Sequence, residues 1–324
     1  MLLIAPDSFK GTYSARQVAV AIARGVPGEV DLCPVADGGE GTLAAVLAAR
    51  GGETTEVPVH DPLGRSISAP LGWLDGGAVA LVETAAASGL GLVATGERDA
   101  ETASTFGTGE LIVAAAVGGA RRIVVTVGGS ATTDGGTGAL RAIEQGGGLL
   151  GAELIVACDV ATPFERAAEL YAPQKGADAA TVARLAARLD ALVETLPRDP
   201  RGVPMTGAAG GLAGGLWAAC GATLVPGASW VLDAVGFDAR LRRADAVVTG
   251  EGRLDRQTFE GKLIGELAAR CRRAGKPLHA VVGSIGLDQW EVAELGLASL
   301  RVASDEAAME AAGAAVAASA PAAS

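Results

Sequence analysis

Six short stretches of this chain mix glycine with hydroxyls, carboxylates and lysine. They are APDSFKGT (5–12), VADGGEGT (35–42), VGGSATTDGG (127–136), ACDVATP (157–163), TGEGRLD (249–255) and VGSIG (282–286). Glycine lets backbone N–H groups turn toward an anion, and a helix starting just behind adds positive potential. Phosphoryl transfer needs parts of this kind. Backbone and lysine hold phosphates, carboxylates hold Mg²⁺, and an Asp orients or deprotonates the acceptor hydroxyl. Lysine usage gives an independent clue. The only lysines are Lys10, Lys175, Lys262 and Lys276, each beside a glycine, in a chain whose 26 basic residues are otherwise arginine. A compact ammonium beside bare backbone suits a point contact with phosphate. Lys10 and Lys175 are the first candidates and Lys262 the next, while Lys276 reads as a surface turn residue. The carboxylate candidates are Asp7, Asp37, Glu40, Asp134, Asp159, Glu251 and Asp255. Each also stands where a helix N-cap would. Asp159 is set apart because it directly follows the apolar run LIVAC.

Most of these stretches follow runs that read as buried strands, so the elements that position them can be laid out. Leu2 to Ala5 is a strand, followed by a helix opening at the capping box Ser14-x-x-Gln17, a strand over 30–35 and a helix over 42–50. This βαβα order implies parallel strands. Residues 54–83 instead show strand patterns split by DPLG (61–64) and DGG (75–77), the signature of antiparallel hairpins. Next come helices near 110–117 and 137–144, strands at 122–127 and 154–157, and a long helix over 179–196 with Arg184, Arg188 and Asp190 on its wet side. Parallel α/β character returns with strands at 246–249 and 278–282, a helix over 262–273 and a final Ala-rich helix. The fold class is therefore α/β, with a discontinuous parallel-sheet domain (1–58 and 229–324) and an inserted α/β domain (59–228). Ligands in open α/β sheets bind at the C-terminal strand edge, where the glycine stretches fall.

Composition removes several function classes. A net charge of −11 speaks against nucleic acid or an anionic membrane as partner. Residues 202–232 carry no charge, but Pro204, Pro226 and many glycines favour a buried loop and helix over a membrane span. Four dispersed cysteines and two histidines give no zinc pattern, and they point to free thiols in the cytoplasm. No Walker A motif, no GxGxxG in register and no GxSxG elbow occurs.

At the same stretches the sequence resembles the bacterial glycerate kinase family, a class unlike the sugar kinases and the P-loop kinases. The matching pieces, in family order, are APDSFKGTYSA (5–15), PVADGGEGT (34–42), ETAAASGLGLV (83–93), STFGTGELI (104–112), VGGSATTDGG (127–136), VACDVATP (156–163), PQKGA (173–177), GAAGGL (207–212) and VVTGEGRLDRQTFEGK (247–262). The chain departs from the family pattern in a shortened 145–152 segment. It also has DVATPF (159–164) where the family tends to have Asp-Val-x-Asn-Pro-Leu. The resemblance implies ATP- and Mg²⁺-dependent phosphorylation of D-glycerate, generally to 2-phosphoglycerate. It also implies two α/β domains, one flavodoxin-like (Rossmann-like) and discontinuous, with the active site in the cleft between them.

Residues and resemblance together give these expected roles. Asp159 accepts or orients the acceptor proton, and Lys10 and Lys175 neutralise charge on the phosphoryl group or on the acceptor's carboxylate. Asp7 and Asp134 are the expected metal ligands. Gly128, Gly129, Ser130, Thr132, Gly135, Gly250, Glu251 and Gly252 are expected to hold phosphate or nucleotide, and Ser8, Asp37, Gly38, Gly39 and Lys262 the substrate. The expected partners are small molecules, D-glycerate and ATP, with a homodimer as one possible assembly. A kinase for another small hydroxy acid and a non-catalytic metabolite sensor are the alternative readings.

Overall fold

The computed structural model describes residues 1–255 and 263–319. Its strands are β1 (Leu2–Ile4), β2 (Val30–Leu32), β3 (Glu53–His60), β4 (Ser66–Leu74), β5 (Val79–Glu83), β6 (Arg122–Thr126), β7 (Glu153–Cys158), β8 (Thr223–Pro226), β9 (Ala246–Leu254), β10 (Leu278–Ile285) and β11 (Ser299–Val302). The chain divides into two compact units. Unit 1 holds Met1–Asp37, Ala44–Arg50 and Ala228–Ser324, and unit 2 holds Gly38–Leu43 and Gly51–Gly227.

Unit 1 is a five-stranded sheet in the order β11-β10-β9-β1-β2, parallel throughout. Counted within the unit this is the order 2-1-3-4-5 of a flavodoxin-like sheet. Neighbouring residues of a strand point to opposite faces, yet Leu3, Ile4, Val247, Val248, Val281 and Val282 are all fully buried. Both faces are therefore covered, as an all-parallel sheet requires. Each such side chain contributes about 1.5–3 kcal/mol by leaving water. One cover is the helix Ala15–Arg24, whose start is fixed by the reciprocal Ser14–Gln17 capping box. With Val18, Ala19 and Ile22 it joins Met309 and Val316 of the C-terminal helix in one apolar cluster.

Unit 2 is a six-stranded mixed sheet in the order β3-β4-β5-β6-β7-β8. The β3–β4 and β4–β5 pairs are antiparallel and the rest parallel. The hairpin expected at 54–83 thus begins the sheet. Its outer strand is exposed over its first half, where Glu53 and Glu56 discourage edge pairing with another chain. Ile123, Val125 and Val156 sit in the main core with Leu111, Ile112 and Leu212. A second cluster joins Phe164 to Leu185, Leu189 and Val193 of the long helix Ala179–Val193. The Gly-rich segment forms the buried helix Leu212–Cys220, and among the described residues no helix is long and apolar enough to cross a membrane.

Candidate active site

The expected residues fall into two groups, one in each unit. In unit 1, Asp7 and Ser8 leave the end of β1, and Asp37 lies beyond the end of β2. The Asp7 N–H donates to Gly250 O of β9 at 2.8 Å, which fixes the loop over the strand ends. Asp7 Oδ1 accepts from its neighbour's amide, Ser8 N, at 2.6 Å. Asp7 and Asp37 are only 5% and 4% exposed. Burial first, and then the nearby negative charge of Asp37, push the Asp7 carboxyl up to about 8, with Glu251 adding to the rise and Lys10 opposing it. Lys10 Nζ reaches Asp37 Oδ2 at 3.3 Å, but its side chain is more than half exposed, so solvent screens the pair.

Gly250, Glu251 and Gly252 lie inside β9, paired with β10 through Gly250↔Val281 and Glu251↔Val282. The strand runs five residues beyond the apolar stretch that marks it in the sequence. Its glycines permit close approach: a Cβ on Gly250 would stand 2.4 Å from Val281 O. Lys262 lies outside the described residues.

In unit 2 the centre is the loop that leaves β6. Lys175, 2% exposed in the turn Pro173–Lys175, donates to Ser130 Oγ at 3.0 Å and to Thr132 O at 2.5 Å. Burial lowers Lys175 to about 8, although Asp134 and Asp159 favour its charged form. Asp159 directly follows β7. Its Oδ2 would be 3.3 Å from a Cβ placed on Gly128, and the same Cβ would be 2.5 Å from Gly39 Cα. Gly128 and Gly39 thus bring two backbones together beside the Asp159 carboxylate. Gly38, with φ +96°, approaches Gly227 in the same way, at 2.6 Å from its virtual Cβ. Gly129 and Gly135 lie in the same loop, and Gly135 N–H donates to Gly210 O at 3.0 Å.

The loop holds an unusual set of donors. Among the described residues the backbone N–H groups of Thr132, Thr133 and Asp134 have no protein acceptor, and neither Thr132 Oγ1 nor Thr133 Oγ1 has a partner. Both threonines are fully buried. Buried amides and hydroxyls are almost always paired, with protein, water or ligand, because an unmade bond costs about 1–3 kcal/mol. Thr84 Oγ1 and Thr126 Oγ1, at the ends of β5 and β6, also lack a partner among the described residues. Their only sequence signal is a hydroxyl closing an apolar strand.

Asp134 has protein partners throughout. Its carboxylate accepts from Thr105 N at 2.9 Å, Thr105 Oγ1 at 2.8 Å, Gly136 N at 3.0 Å and Gly138 N at 3.1 Å. It therefore satisfies the start of the helix Thr137–Gln145 and ties that start to the 104–106 turn. Glu83, which the residue pattern alone did not single out, does similar work at the end of β5. It accepts from Gly41 N at 3.1 Å and Leu43 N at 3.0 Å, at the start of the helix Thr42–Arg50. His279 is buried with Nδ1 2.8 Å from Ser299 Oγ, a satisfied structural position.

A lysine and amide donors at one strand edge, with an aspartate at the next, are of the residue types that phosphoryl transfer uses. Comparison with known proteins identifies the lineage. The profile of the glycerate kinase family matches residues 2–150 and 145–321. The chain belongs to the glycerate kinase family. A glycerate kinase of Halalkalibacterium halodurans is 37% identical, over 91% of this chain and 88% of its own length. The glycerate 2-kinase of Escherichia coli K12 is 35% identical over the same shares. A crystal structure described as putative glycerate kinase 2 from Salmonella typhimurium LT2 superposes with a TM-score of 0.82 at 34% identity, covering 98% of this chain and 97% of that one. As a glycerate kinase family member, the protein is a phosphotransferase with an alcohol acceptor, and a kinase implies a nucleotide substrate.

Proposed function

We propose that the protein transfers the γ-phosphoryl group of ATP to D-glycerate and releases 2-phosphoglycerate and ADP. One observation carries this reading: in a glycerate kinase family chain, the loop after β6 presents unpaired amides and hydroxyls next to a buried lysine. Such a site binds an anion through N–H donors and a point charge.

The glycerate 2-hydroxyl oxygen forms a bond to the γ-phosphorus as the bond from that phosphorus to the β–γ bridging oxygen breaks, leaving ADP. Asp159 takes the hydroxyl proton. An aspartate in this role contributes roughly 10²–10⁴-fold to rate. Lys175 neutralises charge on the transferred group, with Gly128, Gly129, Ser130, Thr132 and Gly135 forming its cradle. Ser8, Gly38, Gly39 and Lys10 contribute substrate contacts.

The donor set of unit 1 fits Mg²⁺. Asp7 and Asp37 are buried carboxylates, and burial first, then the charge of Asp37, pushes Asp7 up to about 8, a cost that a divalent cation relieves. Among the described residues no group of three or more Asp, Glu, His or Cys is gathered to hold a metal alone. Mg²⁺ is usually held by one or two carboxylates with water and substrate phosphates. When bound, Mg²⁺ would offset phosphate charge. Asp134, whose carboxylate already serves four protein donors, enters this proposal as organiser of the phosphate loop. The four cysteines are free, in keeping with a cytoplasmic enzyme.

The test is ³¹P NMR of a reaction of the protein with ATP, Mg²⁺ and D-glycerate. A phosphomonoester at C2 with matching ADP is expected. Transfer only to other hydroxy acids would replace the acceptor, and ATP binding without transfer to any hydroxy acid would leave a sensor.

A further inference from the structure

Two successive carbonyls of the phosphate loop are held by cations from outside it. Thr132 O receives Lys175 Nζ, and Thr133 O receives Arg188 Nη2 at 2.8 Å. The chain has no cis peptide bonds among the described residues, so the C=O and N–H of each peptide point opposite ways. Fixing Thr132 O therefore aims the Thr133 N–H, and fixing Thr133 O aims the Asp134 N–H. These are two of the three consecutive amides with no protein acceptor among the described residues. Downstream, the loop is already anchored by the Asp134 carboxylate and by Gly135 N–H on Gly210 O. Among the described residues, Arg188 is the one side chain that donates to the 133–134 peptide carbonyl.

We propose that Arg188 is a positioning residue of the phosphate loop: from the helix Ala179–Val193 it locks the 133–134 peptide so that the Asp134 N–H is presented to a phosphate oxygen. Its second nitrogen, Nη1, donates to Glu101 O at 2.6 Å, so one planar fork spans two carbonyls from different loops. A lysine has a single nitrogen and cannot reproduce that span. Arg184, one turn earlier on the same helix, grips the Glu101 carboxylate at 2.8 and 2.7 Å and, among the described residues, makes no bond to the phosphate loop. The two arginines therefore separate anchoring of the helix from aiming of the amide. The proposal rests on the reading of the loop as a phosphate site.

The experiment measures hydrogen exchange over residues 128–136 in the full-length protein, with and without inorganic tripolyphosphate, and the inhibition constant of tripolyphosphate against ATP. In the unaltered protein the probe slows exchange at this segment. Arg188→Met is expected to lose most of that protection and to raise the inhibition constant and the KM for ATP roughly tenfold, the size of one charge-assisted hydrogen bond. Its kcat should change much less than its KM. Arg188→Lys falls between the two and serves where the Met variant loses its fold. Arg184→Met is expected to keep both the protection and the inhibition constant of the unaltered protein. Unchanged protection and inhibition in both Arg188 variants would overturn the proposal, as would an equal effect of Arg184→Met, which would reduce Arg188 to a helix anchor. Absence of protection in the unaltered protein would instead overturn the phosphate-site reading itself, and the proposal with it.

Discussion

The two units end their parallel strands in chemically opposite ways. At the strand ends of unit 1, buried Asp7 and Asp37 lie near one screened lysine, and burial, then the negative charge of Asp37, pushes Asp7 up to about 8. At the strand ends of unit 2, Lys175 is buried among amide and hydroxyl donors, Arg188 adds a second cation, and the Asp134 carboxylate is taken by backbone N–H groups and a threonine hydroxyl. The sheet edge alone does not decide what binds there. The sign is set by which loop receives the ammonium inside and which receives it at the surface. An acidic edge suits a cation and a donor-lined edge suits phosphate, which is the contrast the proposed function uses.

Substitutions that strike one unit at a time can break this contrast. The largest effect is expected from Asp159→Asn, which should lower kcat by roughly 10²–10⁴ with little change in the KM for ATP. Near-normal turnover would remove Asp159 as the base. Asp134→Ala strands buried amides at the start of the helix Thr137–Gln145 and should cost about 3 kcal/mol in denaturant unfolding. Unchanged stability would show that water replaces the carboxylate, and Asp134 would then be open to a direct role in binding.

Lys175 gives a pH test. Its folded value of about 8 lies below the ordinary 10.5, so between these pH values the unfolded chain binds more protons. The stability contributed by this residue should therefore rise with pH across that window, by roughly 3 kcal/mol, while activity that needs the ammonium falls. Lys175→Met should flatten that slope in unfolding measured at several pH values, and an unaltered slope would place the titration elsewhere. The smallest effect belongs to Asp7→Asn. It should raise the Mg²⁺ concentration for half-maximal activity by about tenfold or more, while the tripolyphosphate inhibition constant without Mg²⁺ stays put. If both moved together, the division of labour between the units would be gone.

Much of the scaffold was legible in the sequence because its signals are local. The Ser14–Gln17 capping box, the apolar runs at β6, β7 and β10 and the DPLG turn before β4 each lie within a few residues of what they specify. The loop after β6 was legible as a close-approach loop from its glycines. Its hydrogen bonds were not. Arg188 reads as a wet-side residue of its helix, and only the fold brings it across 55 positions to Thr133 O. Asp134 reads equally well as a cap or a metal ligand, and the choice depends on Thr105, 29 residues away. The same holds for 250–252, where the glycines suggest a loop but pairing with β10 extends the strand.

The division of the chain also sets an order of assembly. β1 pairs with β9, joining Leu2–Ile4 to Ala246–Val248. Unit 2, apart from six residues, is one continuous run that ends at Gly227. As the chain leaves the ribosome, the second unit is complete while the first still lacks its central strand. β1 can pair with β2, but it must wait through that interval without β9. Non-local pairing of this kind is slow and leaves strand edges open to wrong contacts. The burden falls on the N-terminal βαβ piece, and the capped, amphipathic helix Ala15–Arg24 is the part of it that can hold its shape locally until β9 arrives.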